Sequence, residues 1–164
     1  MASLLSKTNT RRQTLTAKAI ESALGMVNEE DAVGVVVHDE WHEGIIGLVA
    51  SRLVENYKKP MVVISRRETV SKGSARSIAG FNIVDAIRFS SEYLIDGGGH
   101  PMAAGFSIRT EHIEAFSKKI KDFGRERITD DLLVQNISVE CELEKEDINS
   151  ETLKIIEMFA PFPL

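Results

Sequence analysis

The sequence predicts an α/β domain, because short β-branched runs alternate with longer segments whose apolar residues recur every three or four positions. The runs at 33–37 and 61–64 are typical of buried strands. Between them, apolar residues repeat at helical spacing from about residue 43. This helix should end before Lys59-Pro60, since the residue preceding a proline disfavours helix. We therefore expect a sheet flanked by helices.

The other elements are predicted from local patterns of the same kind. A proline-free amphipathic segment at 8–28 predicts a long first helix. Residues 66–70 predict a polar turn, and the small residues at 73–77 predict a strand that forms a hairpin with 61–64. Asn82 is expected to cap a helix through Phe89 that continues toward Leu94 and is ended by three glycines. The remaining predictions are a strand at 103–108, a helix at 111–125, a strand at 132–143 and a short helix from 150.

Composition limits the class of protein. The chain has 164 residues, 43% of them hydrophobic, which is enough to bury one core with a small appendage. It has neither a bilayer-length apolar run nor a secretory signal pattern, so we expect a soluble cytoplasmic protein without a membrane partner. Cys141 is the only cysteine, which excludes an intrachain disulfide and agrees with a reducing compartment.

The charge is unevenly distributed along the chain. The net charge of −5 argues against a protein whose whole surface binds nucleic acid. Residues 52–88 nevertheless carry eight lysines or arginines against three acids, whereas the chain from Glu111 carries thirteen acids against seven bases. Local charge sets the potential within a Debye length of about 8–10 Å, so the basic segment is a candidate phosphate-binding surface. A solvated face of an ordinary acidic protein is the alternative.

Three consecutive glycines precede a histidine at 97–100. Glycine has a large backbone entropy cost, so something must require the conformational freedom of this segment. One explanation is an anion-binding nest of backbone N–H groups at Gly98 and Gly99, with His100 donating a hydrogen bond to a phosphate. The other is a tight chain reversal into the strand that follows.

A second candidate constellation is the segment 72–77. Ser74 and Arg76 are two residues apart in a predicted strand and should point to the same face. A guanidinium beside a hydroxyl can bind a phosphate through several charge-assisted hydrogen bonds, and Lys72 adds a further positive charge. The alternative is an ordinary edge strand in which Arg76 pairs with a carboxylate such as Asp96.

Two histidines and three carboxylates crowd the segment 38–44 and raise the question of a metal site. His38 and His42 need not share a helical face, so we expect no metal here. Instead, Trp41 should pack in the core and His42 should cap the second helix, whose N-terminal amides are available to an anion. The sequence has no Asp-His-His pattern, Ser/His/Asp order or Walker loop, so we assign no catalytic residue and expect no hydrolysis by this chain alone.

Taken in order, three motifs resemble the DHHA1 domain of the RecJ single-stranded-DNA-specific exonucleases. They begin with the segment 41–53, which opens with Trp41-His42, continue with Gly73-Ser74-Ala75-Arg76-Ser77 and end with the segment 97–107. The glycine-rich histidine motif is shared with other DHH-superfamily phosphodiesterases, whereas the first two motifs favour RecJ. The resemblance implies a connecting helix at 1–30, a DHHA1 domain with a mixed sheet at 31–128 and the start of an OB-like extension at 129–164.

The same resemblance implies a function. RecJ-like proteins are 5′ to 3′ exonucleases of recombination and repair, with Mn²⁺ or Mg²⁺ held by an N-terminal DHH domain that we expect to be absent from this chain. We therefore expect no cofactor here, and single-stranded DNA as partner, contacted by Ser74, Arg76 and the Gly98-Gly99-His100 segment. Repair proteins are further candidate partners. Two alternatives stay open, namely the substrate-binding half of a phosphodiesterase for short oligonucleotides or cyclic dinucleotides, and a protein-interaction domain of a repair complex.

Overall fold

The computed structural model describes residues 2–133, 139 and 141–160, and its centre is a five-stranded mixed sheet. The strands are β1 (Gly34–His38), β2 (Met61–Ser65), β3 (Val70–Arg76), β4 (Leu94–His100) and β5 (Ala103–Arg109). Their order across the sheet is β1-β2-β3-β5-β4. The first two strands are parallel and every other neighbouring pair is antiparallel. The predicted α/β fold with a mixed sheet is confirmed, and so is the β2–β3 hairpin.

The described residues also form six α-helices, of which the first four in chain order flank the sheet. They are α1 (Ala2–Leu24), α2 (Ile46–Tyr57), α3 (Ile83–Phe89), α4 (Ile113–Arg127), α5 (Asp130–Leu133) and α6 (Ser150–Glu157). The predicted cap of α3 is confirmed, because the Asn82 Oδ1 accepts the backbone N–H of Val84 at 3.0 Å. Asn149 caps α6 in the same way, and its Oδ1 accepts the N–H of Glu151 at 2.9 Å. Within the described part of the chain, no helix combines the length and the apolar character needed to cross a membrane.

Two hydrophobic clusters fill the space on the two faces of the sheet. Alternate residues of a strand point to opposite faces, so Val62 and Ile64 of β2 join one cluster while Met61 and Val63 join the other. The first cluster packs under α3 and α4 and includes the fully buried Phe116. The second packs under α1 and α2. These four helices therefore form two layers with the sheet between them.

A buried lysine fixes the chain between α1 and β1 to the end of α2. The ammonium of Lys59 donates to the carbonyl oxygens of Asn28 at 2.8 Å, Glu29 at 3.0 Å and Asp31 at 2.8 Å. Burial lowers the pKa of Lys59, while the nearby carboxylate of Asp31 acts in the opposite direction. Three hydrogen bonds satisfy the three N–H donors of the ammonium, which makes its burial tolerable.

Several local predictions differ from the structure. The first helix ends at Leu24 rather than continuing to residue 28. The third helix ends at Phe89 and does not reach Leu94, because a 3₁₀ turn at Ser91–Tyr93 leads directly into β4. The predicted strand at 132–143 is wrong where it is described: Leu132 and Leu133 lie in α5, and residues 141–143 have no regular structure. Its remaining positions, apart from residue 139, lie outside the described residues.

Candidate functional site

One side of the sheet is only partly covered by helices. On this side α2 packs on β2 and β3, whereas the residues of β5 and β4 that point the same way are not covered by it. The strand register arranges these side chains in three cross-strand rows, which together we call the open face. The rows are Lys72, Ser107 and Asp96; Ser74, Gly105 and Gly98; and Arg76, Ala103 and His100. Residues that are 35 positions apart in sequence thus become neighbours.

Ser74 and Arg76 lie on the same face, as their spacing predicted. The Arg76 Nη1 donates to the Ser74 Oγ at 3.1 Å and to the backbone oxygen of Ala75 at 2.9 Å. These bonds hold the guanidinium in place and leave its Nη2 and Nε donors available. The alternative pairing with Asp96 is not observed, since Arg76 makes no ion pair within the described residues.

The first turn of α2 comes close to this pair because it contains a glycine. A Cβ on Gly47 would lie 3.0 Å from the Arg76 Nη2 and 3.3 Å from the Ser74 Oγ. A methyl group at this position would therefore push the guanidinium or the hydroxyl aside by a few tenths of an ångström. We gave no role to Gly47 from the sequence, although a glycine inside a helical pattern is a signal that something packs closely against it.

Lys72 occupies the next position along β3 on the open face. Its ammonium donates to the Ser107 Oγ at 2.6 Å across the β3–β5 pair. Lys72 is exposed whereas Ser107 is buried, so the hydroxyl anchors the side chain while the ammonium keeps donors that face solvent. Lys72 also lines the cavity between α2 and the open face, together with two carboxylates, Glu43 and Asp96.

On β5 and β4, the middle row of the open face has no side chains. Gly98 and Gly105 are paired across β4 and β5. A Cβ on Gly98 would meet nothing within 4 Å, and a Cβ on Gly105 would meet only the carbonyl oxygen of Gly73 at 3.8 Å. Glycine weakens a strand, and at these two positions no contact within the described protein requires it. The bare surface is therefore available for close approach by a ligand.

The three glycines do not form the loop or nest that we expected. Gly97, Gly98 and Gly99 all belong to β4, and the chain reverses after them at Pro101 and Met102. Their roles differ because alternate residues point to opposite faces. A Cβ on Gly99 would collide with the backbone oxygen of Ala103, and its φ of +154° also favours glycine. Gly99 is thus required by the fold, whereas Gly98 is not.

The two predicted histidines have different positions. His100 lies on the open face in the same row as Arg76, it is exposed, and its ring has no partner within the described residues. The His42 Nδ1 accepts the N–H of Gly44 at 3.0 Å, in a turn that precedes α2. His42 therefore stabilises this turn rather than capping the helix directly. Glu43 and Gly44 of the turn line the cavity, but His42 does not.

The segment 38–44 does not assemble a metal site. Trp41 is buried as expected and stacks on the His38 ring at a centroid distance of 5.1 Å. The His38 Nδ1 accepts the N–H of Glu40 at 3.1 Å. In the ranges that the structure describes, no three His, Cys, Asp or Glu side chains lie together as ligands of an ion. These residues therefore do not fit the Mn²⁺ or Mg²⁺ that the resemblance implies for the whole enzyme.

Comparisons with known proteins agree with the fold and the motifs. A family model described as the DHHA1 domain matches residues 12–126. The single-stranded-DNA-specific exonuclease RecJ of Bacillus subtilis is 31% identical over 169 aligned residues, which cover 99% of this chain and 21% of RecJ. The chain thus spans about a fifth of the length of the curated relatives that it matches.

Solved structures give the same assignment. RecJ from Thermus thermophilus in complex with Mn²⁺ has a TM-score of 0.85 at 26% identity, covering 98% of this chain and 24% of that one. Its complex with Mg²⁺ also has a TM-score of 0.85 at 26% identity, covering 98% and 25%. The family model, the relatives and the fold together show that the chain belongs to the DHHA1 domain family and matches the DHHA1 region of RecJ exonucleases.

Proposed function

We propose that the open face binds the backbone of single-stranded DNA and that this chain is the DHHA1 part of a RecJ-like 5′ to 3′ single-strand exonuclease. The main observation behind the proposal is a surface without side chains beside Ser74 and Arg76, formed by the paired glycines Gly98 and Gly105. A polymer can approach the peptide backbone there and still reach a fixed guanidinium at the same face. The similarity to proteins named single-stranded-DNA-specific exonucleases supports DNA as the ligand.

Each site residue has a distinct proposed role. Arg76 binds a phosphate through its Nη2 and Nε donors, because its Nη1 is already bonded to Ser74 and to the Ala75 backbone. His100, in the same row, donates a further hydrogen bond to that phosphate. Lys72 contributes a charge to a phosphate farther along β3. In this proposal Gly98 provides the space for the ligand, while Gly99 and His42 only maintain the shape of the strand and of the turn.

Binding and hydrolysis are divided between different parts of the enzyme in this proposal. The described residues contain no cluster that could hold a catalytic ion. In this proposal the Mn²⁺ or Mg²⁺ would be held by a DHH domain, as the resemblance to RecJ implies, and would supply the activated water and charge stabilisation that phosphodiester cleavage needs. We propose the connecting helix at 1–30, the DHHA1 domain at 31–128 and the OB-like extension at 129–164 as the organisation of this part. Repair proteins remain proposed partners.

Salt-dependent binding tests the proposed function. The purified chain would be titrated with a fluorescent oligothymidylate of about twelve nucleotides at several salt concentrations. If about three phosphates are contacted, the log–log slope of affinity against salt should be near −2. Arg76→Ala should weaken binding about tenfold without changing the far-UV circular dichroism.

Arg88→Ala is the matched control, because Arg88 is an exposed arginine on α3, on the opposite face of the sheet. It should bind like the wild type. Binding that does not depend on salt, or no binding to any single strand, would contradict the proposal. Preference for a cyclic dinucleotide over the longer strand would instead favour the phosphodiesterase alternative.

A further inference from the structure

The open face continues beyond the predicted site to an arginine that the sequence motifs do not include. Arg109 is the last residue of β5 and pairs with Val70, the first residue of β3. Strand alternation places Arg109 on the same face as Ser107 and Gly105, and Val70 on the same face as Lys72 and Ser74. The neighbouring Ile108 points into the core and is fully buried. Arg109 therefore extends the open face by one row.

The side chain of Arg109 is available for a ligand. It is exposed, and within the described residues it makes no hydrogen bond or ion pair. The nearby arginines of the β2–β3 turn are already engaged. Arg66 pairs with Asp39 at 3.5 Å, and the Arg67 guanidinium donates to the backbone oxygens of Asp39 and Trp41. Within the part of the chain that the structure describes, the guanidinium donors of Arg109 are thus free at this end of the open face.

The distances along the strands separate Arg109 from Arg76. Successive residues on one face of an antiparallel strand lie about 7 Å apart, so the row of Arg109 is about 20 Å from the row of Arg76, with Lys72 between them. This exceeds a Debye length of about 8–10 Å, so in physiological salt Arg109 has little effect on a phosphate at Arg76. A ligand must extend over several nucleotides to contact both arginines.

Acidic residues near the cavity lie on both sides of the route that a bound strand would follow across the open face. Glu43, in the turn before α2, and Asp96, on the edge strand β4, line the cavity on either side of β3 and β5. Phosphates are repelled from both carboxylates and attracted to the cations between them. Arg76, Lys72 and Arg109 therefore follow one line along the two central strands of the open face. The exposed side chain of Val70 next to Arg109 adds an apolar surface against which a sugar or base can pack.

We propose that Arg109 binds a backbone phosphate beyond Lys72, so that the open face selects an extended single strand over a dinucleotide. This inference rests on the proposed function, since it assigns the polymer's path across the same surface. It adds a residue to the interface and gives a structural reason for length preference. Arg76 anchors any phosphate ligand, whereas Arg109 contributes only when the strand is long enough to reach it.

The test compares two ligands and four proteins. The wild type, Arg109→Gln, Arg109→Lys and the control Arg88→Gln would be titrated with an oligothymidylate of about twelve nucleotides and with the 5′-phosphorylated dinucleotide. Arg109→Gln should weaken binding of the long strand about three- to tenfold and reduce the salt slope by about 0.7, the contribution of one phosphate of a single strand. Its affinity for the dinucleotide should equal that of the wild type. Arg109→Lys should keep the salt slope, and Arg88→Gln should change neither ligand's affinity.

The outcomes distinguish this inference from the proposed function. If Arg109→Gln binds the long strand like the wild type while Arg76→Ala weakens both ligands, the inference is wrong and the proposed function stands. Equal weakening of both ligands by Arg109→Gln would also overturn it, because the effect would not depend on length. If the wild type binds neither ligand, or Arg76→Ala has no effect on either, the proposed function fails and the inference fails with it.

Discussion

Replacing Gly98 with alanine distinguishes a role of this glycine in ligand binding from a role in the stability of the fold. The added methyl group would meet no protein atom within 4 Å, and Gly98 is not among the residues with positive φ. Alanine also reduces the conformational freedom of the unfolded chain, so we expect Gly98→Ala to raise the free energy of unfolding by about 0.4–1 kcal/mol. For a chain of this size the corresponding rise in Tm is about 1–4 °C.

The same methyl group would stand in the middle of the bare surface between β4 and β5. If the DNA backbone lies against Gly98 and Gly105, the substitution moves it away from the peptide planes and from the donors of Arg76. We expect the affinity for a single strand to fall at least tenfold, or about 1.4 kcal/mol. Urea denaturation and fluorescence anisotropy on the same preparation would measure the two effects.

Gly99→Ala is the matched control, because it makes the same chemical change one residue away. Its Cβ would collide with the backbone oxygen of Ala103, and the φ of +154° strains any side chain. We expect it to lower the free energy of unfolding by about 1–3 kcal/mol. The reasoning would be refuted if Gly98→Ala were as destabilising as Gly99→Ala, or if it bound DNA as tightly as the wild type.

Three further predictions concern charge, a buried lysine and catalysis. Asp96→Asn should tighten DNA binding two- to threefold at low salt, because removing a like charge about 7 Å from a phosphate is worth about 0.6 kcal/mol in water. Anisotropy titrations should show that this gain in affinity disappears at high salt. Lys59→Met should lower the free energy of unfolding, measured by urea denaturation, by about 2 kcal/mol, because three hydrogen bonds to carbonyl oxygens are lost. The control Lys58→Met, at the exposed neighbouring position, should change this free energy little. The purified chain with Mn²⁺ should release no nucleotides from labelled single-stranded DNA, and robust degradation would contradict the proposed division between binding and hydrolysis.

Local sequence patterns determined the type and order of most elements. The β-branched runs became β1 and β2, the amphipathic segments became α2 and α4, and Asn82 capped α3 as expected. The spacing of Ser74 and Arg76 was enough to place them on one face, because the alternation of a strand is a property of its own backbone. The resemblance to RecJ also came from three motifs in the sequence, and the comparisons confirmed it.

The glycine segment shows where local patterns fail. Three glycines have no side-chain periodicity, so the sequence gives no signal that distinguishes a turn from a strand. Pairing with β5 decided the outcome, and it gave Gly98 and Gly99 opposite orientations and different roles. Similarly, no local pattern indicated that Gly47 would lie beside the Arg76 guanidinium, since that contact joins a helix to a strand almost thirty residues later.

The sequence by itself thus determined the fold class, the family and the presence of a serine and an arginine suited to phosphate. Only the tertiary structure decided that His100, Gly105 and Arg109 share the face of Ser74 and Arg76, and that His42 does not line the cavity. The physical reason is that composition and spacing fix which side of an element a residue occupies, whereas strand order and register fix which residues of different elements become neighbours.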